Sequence, residues 1–175
     1  MTVPLFREDA YLKETEATVV AINDEGGITF DQTIFYPTGG GQPGDTGMLV
    51  FEGIETPIMA TVKGPAPDEI IHVAAEGATL PPLGATVTLR LDWERRFRHM
   101  QVHTALHLLS VVIPLPVTGG SISAQKGRLD FDMPEAPEDK DALEAELNAL
   151  IEGDHPVSTE WITDEELAAK PEMVK

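Results

Sequence analysis

The sequence contains no cysteine. Disulfides, thiolate metal ligands and a cysteine nucleophile are therefore excluded within this chain. Long apolar runs are also lacking, since the most apolar stretch, LLSVVIPLPV, is interrupted by Ser110, Pro114 and Pro116. The first ten residues carry charges and no apolar core of the kind found in signal peptides. These absences predict a soluble globular protein with neither a signal peptide nor a membrane span.

Basic residues are scarce. The 175 residues include 12 Lys and Arg against 30 Asp and Glu, which gives a net charge of -18. This balance argues against a protein that holds nucleic acid by a general positive field, so any such contact must be local. Two interpretations of the central basic cluster stay open, namely structural ion pairs on a solvated helix turn and a phosphate contact. The cluster consists of Arg95, Arg96, Arg98, Lys126 and Arg128.

Two hydrophobic periods divide the chain. Short β-branched runs separated by Gly, Pro and Asp fill residues 16–91, a pattern typical of a small barrel or sandwich. From Asp92, a helix N-cap residue, the period changes from two to 3.6, which predicts a helix from Trp93 toward Ile113. We therefore expect an α+β protein with an N-terminal β-barrel domain at 1–91 and a second domain at 92–175.

The second region has further expected elements. A pair of strands, SISAQ and RLDFD, is expected to turn at Lys126 and Gly127. A second helix is expected to have Pro137 in its first turn, because proline is favoured there. The run VSTEWI reads as a strand, and Thr163 with Glu166 predicts a capping box for a third helix.

The most informative chemical pattern is the pair His103 and His107, four residues apart on the predicted helix. This spacing brings both imidazoles to one face, where they can share a metal ion. A pair of hydrogen-bonded core histidines is the alternative. Thr104 stands where zinc proteases of the HExxH type need their glutamate base, so peptidase activity is not expected. The other histidines are expected to pack or to lie at the surface: His72, His99 and His155.

A glycine-rich segment is the second feature, because five of the nine residues from Gly39 to Gly47 are glycine. It matches neither the Walker A pattern, which ends in Lys-Ser/Thr, nor the dinucleotide fingerprint, which opens a βαβ helix. A turn between barrel strands is one interpretation, and a loop whose N–H groups approach a ligand is the other. Thr38 and Gln42 give this segment polar groups suited to a small ligand.

In order along the chain, the strings FYPTGGGQPGDTG, DWERR, HTALHLL, GGSIS and GRLDFD resemble the editing module of alanyl-tRNA synthetase. The resemblance is greatest to the free-standing AlaX trans-editing proteins. It implies a small β-barrel that carries the glycine motif, followed by an α/β editing domain whose central HxxxH helix packs on a sheet. The implied activity is hydrolysis in trans of seryl- or glycyl-tRNA(Ala), with the tRNA acceptor end as partner and a cytoplasmic location.

The resemblance also implies zinc. His103 and His107 match the first pair of family ligands, whereas the second pair, a Cys and a His of a later CxxxH motif, has no counterpart in this sequence. Three explanations stay open, namely a native chain that is longer, a short natural variant, and a degenerate member without zinc. We favour the first, an editing domain that is incomplete at its C-terminus. Two histidines alone are expected to hold zinc weakly or not at all.

The family's glycine motif implies a role for Gln42 as a donor to the oxyanion or as a residue that orients the substrate. A loop-closing amide is the alternative for this residue. Thr38 is expected to contact the serine hydroxyl. A different class of function also stays open, that of a non-catalytic module that binds the tRNA acceptor end or a synthetase.

Overall fold

The computed structural model describes residues 2–170, and its N-terminal part is a closed barrel. The strands in this part are β1 (Val3–Pro4), β2 (Glu14–Ile22), β3 (Gly27–Phe30), β4 (Gln32–Thr33), β5 (Gly47–Phe51), β6 (Ile54–Lys63), β7 (Ile70–Ala74) and β8 (Thr86–Leu91). Six of them pair antiparallel in the order β2-β3-β7-β6-β5-β8, and β8 closes on β2. β1 and β4 form a short parallel pair beside the barrel, next to a 3-10 turn at Leu5–Arg7.

Strand alternation builds the barrel core. In β8, Val87, Leu89 and Leu91 point inward and are buried, whereas Thr86 and Arg90 are exposed. A period of two places alternate side chains on opposite faces of a strand, so closure of the sheet collects the inward set into one core. Closure also leaves the six strands without an unpaired edge.

The second region begins directly after β8. It contains α1 (Trp93–Val112), β9 (Val117–Ile122), β10 (Gly127–Phe131), α2 (Lys140–Glu152) and α3 (Asp164–Ala169). Asp92 caps α1 by accepting a hydrogen bond from the Arg95 N–H at 3.2 Å. α1 packs against the antiparallel β9–β10 hairpin and against α2. The α+β class is therefore confirmed, and the division into two domains at residue 91 stays a prediction.

Two boundaries in the second region differ from expectation. β9 begins at Val117, and the hairpin turns at residues 123–126 because the Ser123 hydroxyl accepts from the Gln125 and Lys126 N–H groups. α2 begins at Lys140 because Asp139 caps it, so Pro137 precedes the helix.

The run VSTEWI is not a strand. Its side chains are exposed and no strand among residues 2–170 pairs with it, so a strand-like composition has no ladder to join. The capping box of the third helix is confirmed, with the Thr163 hydroxyl accepting from Glu166 N–H at 3.2 Å. Among residues 2–170, no helix combines the length and apolar character needed to cross a membrane.

Candidate functional site

The glycine motif forms a tight turn at the junction of the two regions. Gly39 and Gln42 exchange backbone hydrogen bonds of 3.1 and 3.0 Å, and Gly40 and Gly41 have φ values of +59° and +77°. Left-handed conformations at both central positions favour glycine, because other residues are strained there. The segment is thus a turn, and its tip also lies on a cavity.

Thr38 closes the motif from within. Its hydroxyl accepts from the Gly44 N–H at 2.9 Å and donates to the Thr61 carbonyl at 3.3 Å. Gly44 has no room for a side chain, since a Cβ atom there would lie 1.9 Å from the Thr61 oxygen. Thr38 does not line the cavity described below. The expectation that Thr38 contacts the serine hydroxyl is therefore corrected: its hydroxyl is committed to loop closure.

Helix α1 presents His103 and His107 to the same cavity. Their ring centroids lie 4.9 Å apart and their planes differ by 16°. His103 Nδ1 is 3.0 Å from the Oε1 atom of Gln42. A carboxamide oxygen only accepts, so Nδ1 carries the proton and Nε2 keeps its lone pair. Burial, reinforced by His107, lowers the pKa of His103 and so favours the neutral ring.

The cavity has a volume of about 260 Å³. One wall is the glycine turn at Gly40 and Gly41, a second is α1 at His103, Leu106 and His107, and the third is the β9–β10 hairpin. The backbone N–H groups of Gly40 and Gly41 donate no hydrogen bond to any residue from 2 to 170. Two residues whose N–H groups have no partner among the described residues therefore line the same cavity as the two imidazoles.

Gln42 stands behind His103 rather than on the cavity wall. Its side chain is 5% exposed, and its oxygen is committed to the His103 ring. Gln42 acts on the cavity through His103 by this bond, and its expected role as a donor to the oxyanion or in orienting the substrate stays a prediction. Sequence reasoning also missed the hairpin wall, although the GGSIS string that it had noted contains Gly119, Gly120 and Ser121 of that wall.

The described residues supply two imidazoles to the cavity and no larger ligand set. Residues 2–170 contain no group of three or more His, Cys, Asp or Glu side chains placed to hold a metal ion. His99, one turn before His103, does not complete the pair, because it does not line the cavity and lies near the charges of Arg95 and Arg96. Those charges would also repel a metal ion. His103 and His107 would fit half of a four-ligand zinc site. His103 is held as the Nδ1–H tautomer, which leaves Nε2 to coordinate a metal.

Arg96 is paired with Asp45 inside the junction. The two side chains are 4% and 1% exposed, respectively, and Arg96 Nη1 bonds Asp45 Oδ2. Burial raises the pKa of Asp45, and the Arg96 charge opposes this rise. Arg95 donates to the Gly44 carbonyl at 2.9 Å. The expected contact between Arg96 and a tRNA phosphate is corrected, since its guanidinium is neither accessible nor free.

The rest of the basic cluster is exposed. Arg128 pairs with Asp130 at 3.2 Å, whereas Arg98 and Lys126 have no ion pair among residues 2–170. Sequence reasoning missed Lys63, whose ammonium would lie 3.3 Å from a Cβ atom on Gly39. Only the strand register of β6 brings it beside the glycine turn, and no local pattern signals that.

The remaining histidines behave as expected. His72 is fully buried, donates from Nδ1 to the Ile28 carbonyl at 3.2 Å and accepts from the Thr33 hydroxyl at 2.8 Å. Its burial lowers the pKa to about 4. His99 is buried and His155 is exposed. None of the three lies on the cavity.

Comparison with known proteins shows the family of this chain. The family model for tRNA synthetases class II (A) matches residues 8–95. The chain is 37% identical to the alanyl-tRNA editing protein AlaX-M of Methanosarcina acetivorans, over 97% of this chain and 73% of that protein. It is 36% identical to AlaX-M of Saccharolobus solfataricus, over 100% of this chain and 75% of that protein. It is also 36% identical to an alanine–tRNA ligase of Pyrobaculum neutrophilum, over 97% of this chain and 19% of the ligase. The chain belongs to the AlaX family of alanyl-tRNA editing proteins.

Proposed function

We propose that this protein hydrolyses mischarged alanine tRNA in trans, releasing serine or glycine from the acceptor end. The observation that carries the proposal is the hydrogen bond between Gln42 and His103, which joins the glycine motif to the HxxxH helix at one cavity. A volume of about 260 Å³ suits a small aminoacyl group. Family membership supports the same reaction class, an aminoacyl-tRNA deacylation.

The reaction breaks the ester between the amino acid and a ribose hydroxyl of the terminal adenosine. Attack by water places negative charge on the carbonyl oxygen in the transition state. The N–H groups of Gly40 and Gly41, which line the cavity and have no partner among the described residues, are the candidate donors to that oxyanion. Their glycine turn is already formed, so no loop ordering opposes the stabilisation.

We propose zinc as the cofactor, with His103 and His107 as two of its ligands and further ligands from outside the described residues. When bound, zinc supplies Lewis-acid polarisation or a water of lowered pKa. The Gln42 oxygen accepts a hydrogen bond from the His103 Nδ1–H, which leaves Nε2 as the atom free to coordinate. Selection against correct alanine requires a cavity group that hydrogen-bonds the serine hydroxyl, because such a site rejects the analogue that lacks it by as much as ~10⁴-fold.

The test measures release of amino acid from seryl-, glycyl- and alanyl-tRNA(Ala) by the zinc-supplemented protein. We expect hydrolysis of seryl-tRNA(Ala) and sparing of alanyl-tRNA(Ala). Glycine also lacks the serine hydroxyl, so equally fast hydrolysis of glycyl-tRNA(Ala) would mean that selection does not depend on that group. His103→Ala and His107→Ala should each lower the rate at least about 100-fold, the range found when a catalytic group is removed. His155→Ala is the matched control, since His155 is exposed and lies outside the cavity.

A non-catalytic module that binds the acceptor end is the second candidate. The observation that favours it is that two histidines line the cavity and no group of three or more metal ligands is assembled among residues 2–170. The same assay separates the two functions. Binding of seryl-tRNA(Ala) without zinc-stimulated release, and with no effect of His103→Ala, would establish the binding module.

A further inference from the structure

Two arginines at the start of α1 bind the end of the glycine motif. Arg95 donates to the Gly44 carbonyl at 2.9 Å, and Arg96 pairs with the Asp45 carboxylate. The Asp45 and Arg96 side chains are almost fully buried. The first two turns of the helix are thus tied to the loop that carries Gln42.

Asp45 also closes that loop. Its Oδ2 atom accepts from the Tyr36 N–H at 2.7 Å, and its own N–H donates to the Tyr36 carbonyl at 2.9 Å. Its carbonyl accepts from the Thr61 hydroxyl at 2.9 Å, which fixes it to barrel strand β6. One residue therefore joins both ends of the loop, the barrel wall and the helix.

The buried ion pair between Asp45 and Arg96 leaves part of its hydrogen-bonding capacity unused. Among residues 2–170, the Asp45 Oδ1, Arg96 Nε and His99 Nδ1 atoms are buried without a hydrogen-bond partner. Buried pairs with unmet polar atoms are often no more stabilising than apolar residues of similar volume. A positional role accounts for a charged pair at this place better than a gain in stability does.

Loop and helix are joined at two places along α1. Near the start of the helix Arg95 and Arg96 bond Gly44 and Asp45, and farther along it His103 bonds Gln42. Arg96 and His103 lie two helical turns apart on one face of α1, about 10 Å along its axis. One attachment leaves the loop free to pivot, whereas two attachments fix both its distance and its orientation. The Gly41 carbonyl adds a contact to the hairpin by accepting from the Ile122 N–H at 2.9 Å.

We propose that Asp45 and Arg96 are positioning residues for the deacylation, which hold Gln42 in register with His103 and thereby set the ring tautomer. This inference rests on the proposed function for its kinetic part. The tautomer of His103 is a property of the protein itself and provides a readout that is independent of activity.

The test uses the full chain with Asp45→Asn and Arg96→Met combined. The asparagine keeps an oxygen for the Tyr36 N–H, and the methionine fills the arginine stem, so the barrel is expected to keep its circular dichroism. We expect kcat for serine release to fall at least about 10-fold with KM changed less than about twofold, as for a loss of orientation rather than of binding. Arg90→Met is the matched control, because it removes exposed ion pairs to Glu14 and Glu55 on the barrel.

Two further measurements test whether Asp45 and Arg96 act through the hydrogen bond between Gln42 and His103. In a Gln42→Ala background the double substitution should cause no additional loss of kcat, because both changes act on the same hydrogen bond. Nitrogen-15 NMR of the imidazoles should show His103 as the Nδ1–H tautomer in the wild type and as a mixture of tautomers in the variant. Arg96→Lys, with its shorter reach, should give a smaller effect of the same kind and serves if the double variant does not fold.

The inference is overturned by a folded variant that keeps both the wild-type kcat and the Nδ1–H tautomer of His103. It is also overturned if the full loss of kcat persists in the Gln42→Ala background. A wild-type protein that releases no serine would contradict the proposed function alone, and the tautomer measurement would still decide the role of Asp45 and Arg96.

Discussion

The barrel and the region that follows it differ sharply in how they bury their side chains. Every member of the main buried apolar cluster lies between Ala17 and Leu91. Among the described residues from 92 onward, the buried side chains are Arg96, His99, Ser110 and Ile122, of which three are polar. On α2, the apolar side chains of Leu143, Leu147 and Leu150 are only half-buried, and Trp161 is exposed.

This contrast places most of the stability in the barrel and the imidazoles in the region that follows it. Burial of apolar surface is the main favourable term in folding, so the barrel holds most of the stability of residues 2–170. The imidazoles lie on the less buried side and face a turn that belongs to the barrel. The site therefore depends on how α1 docks, and changes at the junction should alter activity while the barrel stays folded.

The largest expected effect is a loss of stability when a leucine of the barrel core is truncated. Leu89, fully buried in β8, and Leu147, half-buried on α2, are matched leucines in the two regions. Leu89→Ala should lower the free energy of unfolding by about 2–5 kcal/mol, through lost burial and a cavity. Leu147→Ala should cost less than about 1.5 kcal/mol because water already reaches its side chain. Urea denaturation followed by circular dichroism measures both, and equal losses would mean that the two regions share one core.

The next effect concerns a buried histidine of the barrel. The pKa of His72 is about 4 in the folded chain against an ordinary value of 6.5, because burial disfavours its charged form. The unfolded chain therefore binds the proton first, so this contribution is complete above pH 6.5 and is lost as the pH falls toward 4. The full loss amounts to about 3 kcal/mol.

The measurement compares the free energy of unfolding at pH 7 and pH 4 for the wild type and for His72→Asn. Carboxylates titrate in the same range in both proteins, so the difference between the two slopes isolates His72. His155→Asn is the control, because His155 is exposed and should leave the slope unchanged. Parallel slopes for wild type and His72→Asn would mean that the ring is protonated without opening the barrel.

Sequence reasoning succeeded where the signal is local. The strand runs up to Leu91, the Asp92 cap and the Thr163 capping box each depend on a few neighbouring residues, and the structure contains all of them. It failed where the outcome depends on distant partners. VSTEWI has the composition of a strand, but whether it becomes one depends on a neighbouring strand that residues 2–170 do not offer.

The same distinction applies to the site. The spacing of His103 and His107 placed both rings on one face, and the family resemblance pointed to the glycine motif. Neither could reveal that Gln42 bonds His103 or that Asp45 pairs with Arg96, because these contacts join residues 61 and 51 positions apart, respectively. A charge cluster in the sequence likewise cannot distinguish an arginine that binds phosphate from one that is buried in an ion pair.

A third prediction concerns zinc. The 175-residue chain, with two imidazoles on the cavity, should lose zinc on dialysis, since stable sites use three or four protein ligands. In competition with a chromogenic chelator, Gln42→Ala should weaken the residual affinity by about 10-fold, because the amide orients a ligand. His103→Ala should weaken it at least as much, and His155→Ala should not change it. Stoichiometric zinc that survives dialysis would contradict the two-ligand account.

The smallest expected effect concerns the approach of an acidic protein to tRNA. With a net charge of -18, binding must depend on the few accessible basic residues near the cavity. Arg98 and Lys126 are the exposed members of the central cluster that have no ion pair among residues 2–170, and Lys63 lies beside the glycine turn. We expect log K to fall with log salt with a slope of only about 2 to 3, because few phosphates are neutralised.

Alanine substitutions at Arg98, Lys126 and Lys63 should each weaken tRNA binding a few-fold and lower the slope by about 1, as the loss of one phosphate contact does. Lys140→Ala is the matched control, since Lys140 is exposed at the start of α2 and does not line the cavity. Arg96→Ala should instead disturb the junction and change activity more than the salt slope, because its charge faces Asp45 rather than solvent. If no exposed cation changes the slope and Arg96 alone matters, the tRNA contacts lie outside the surface formed by these residues, and the basic cluster serves to dock α1 on the barrel.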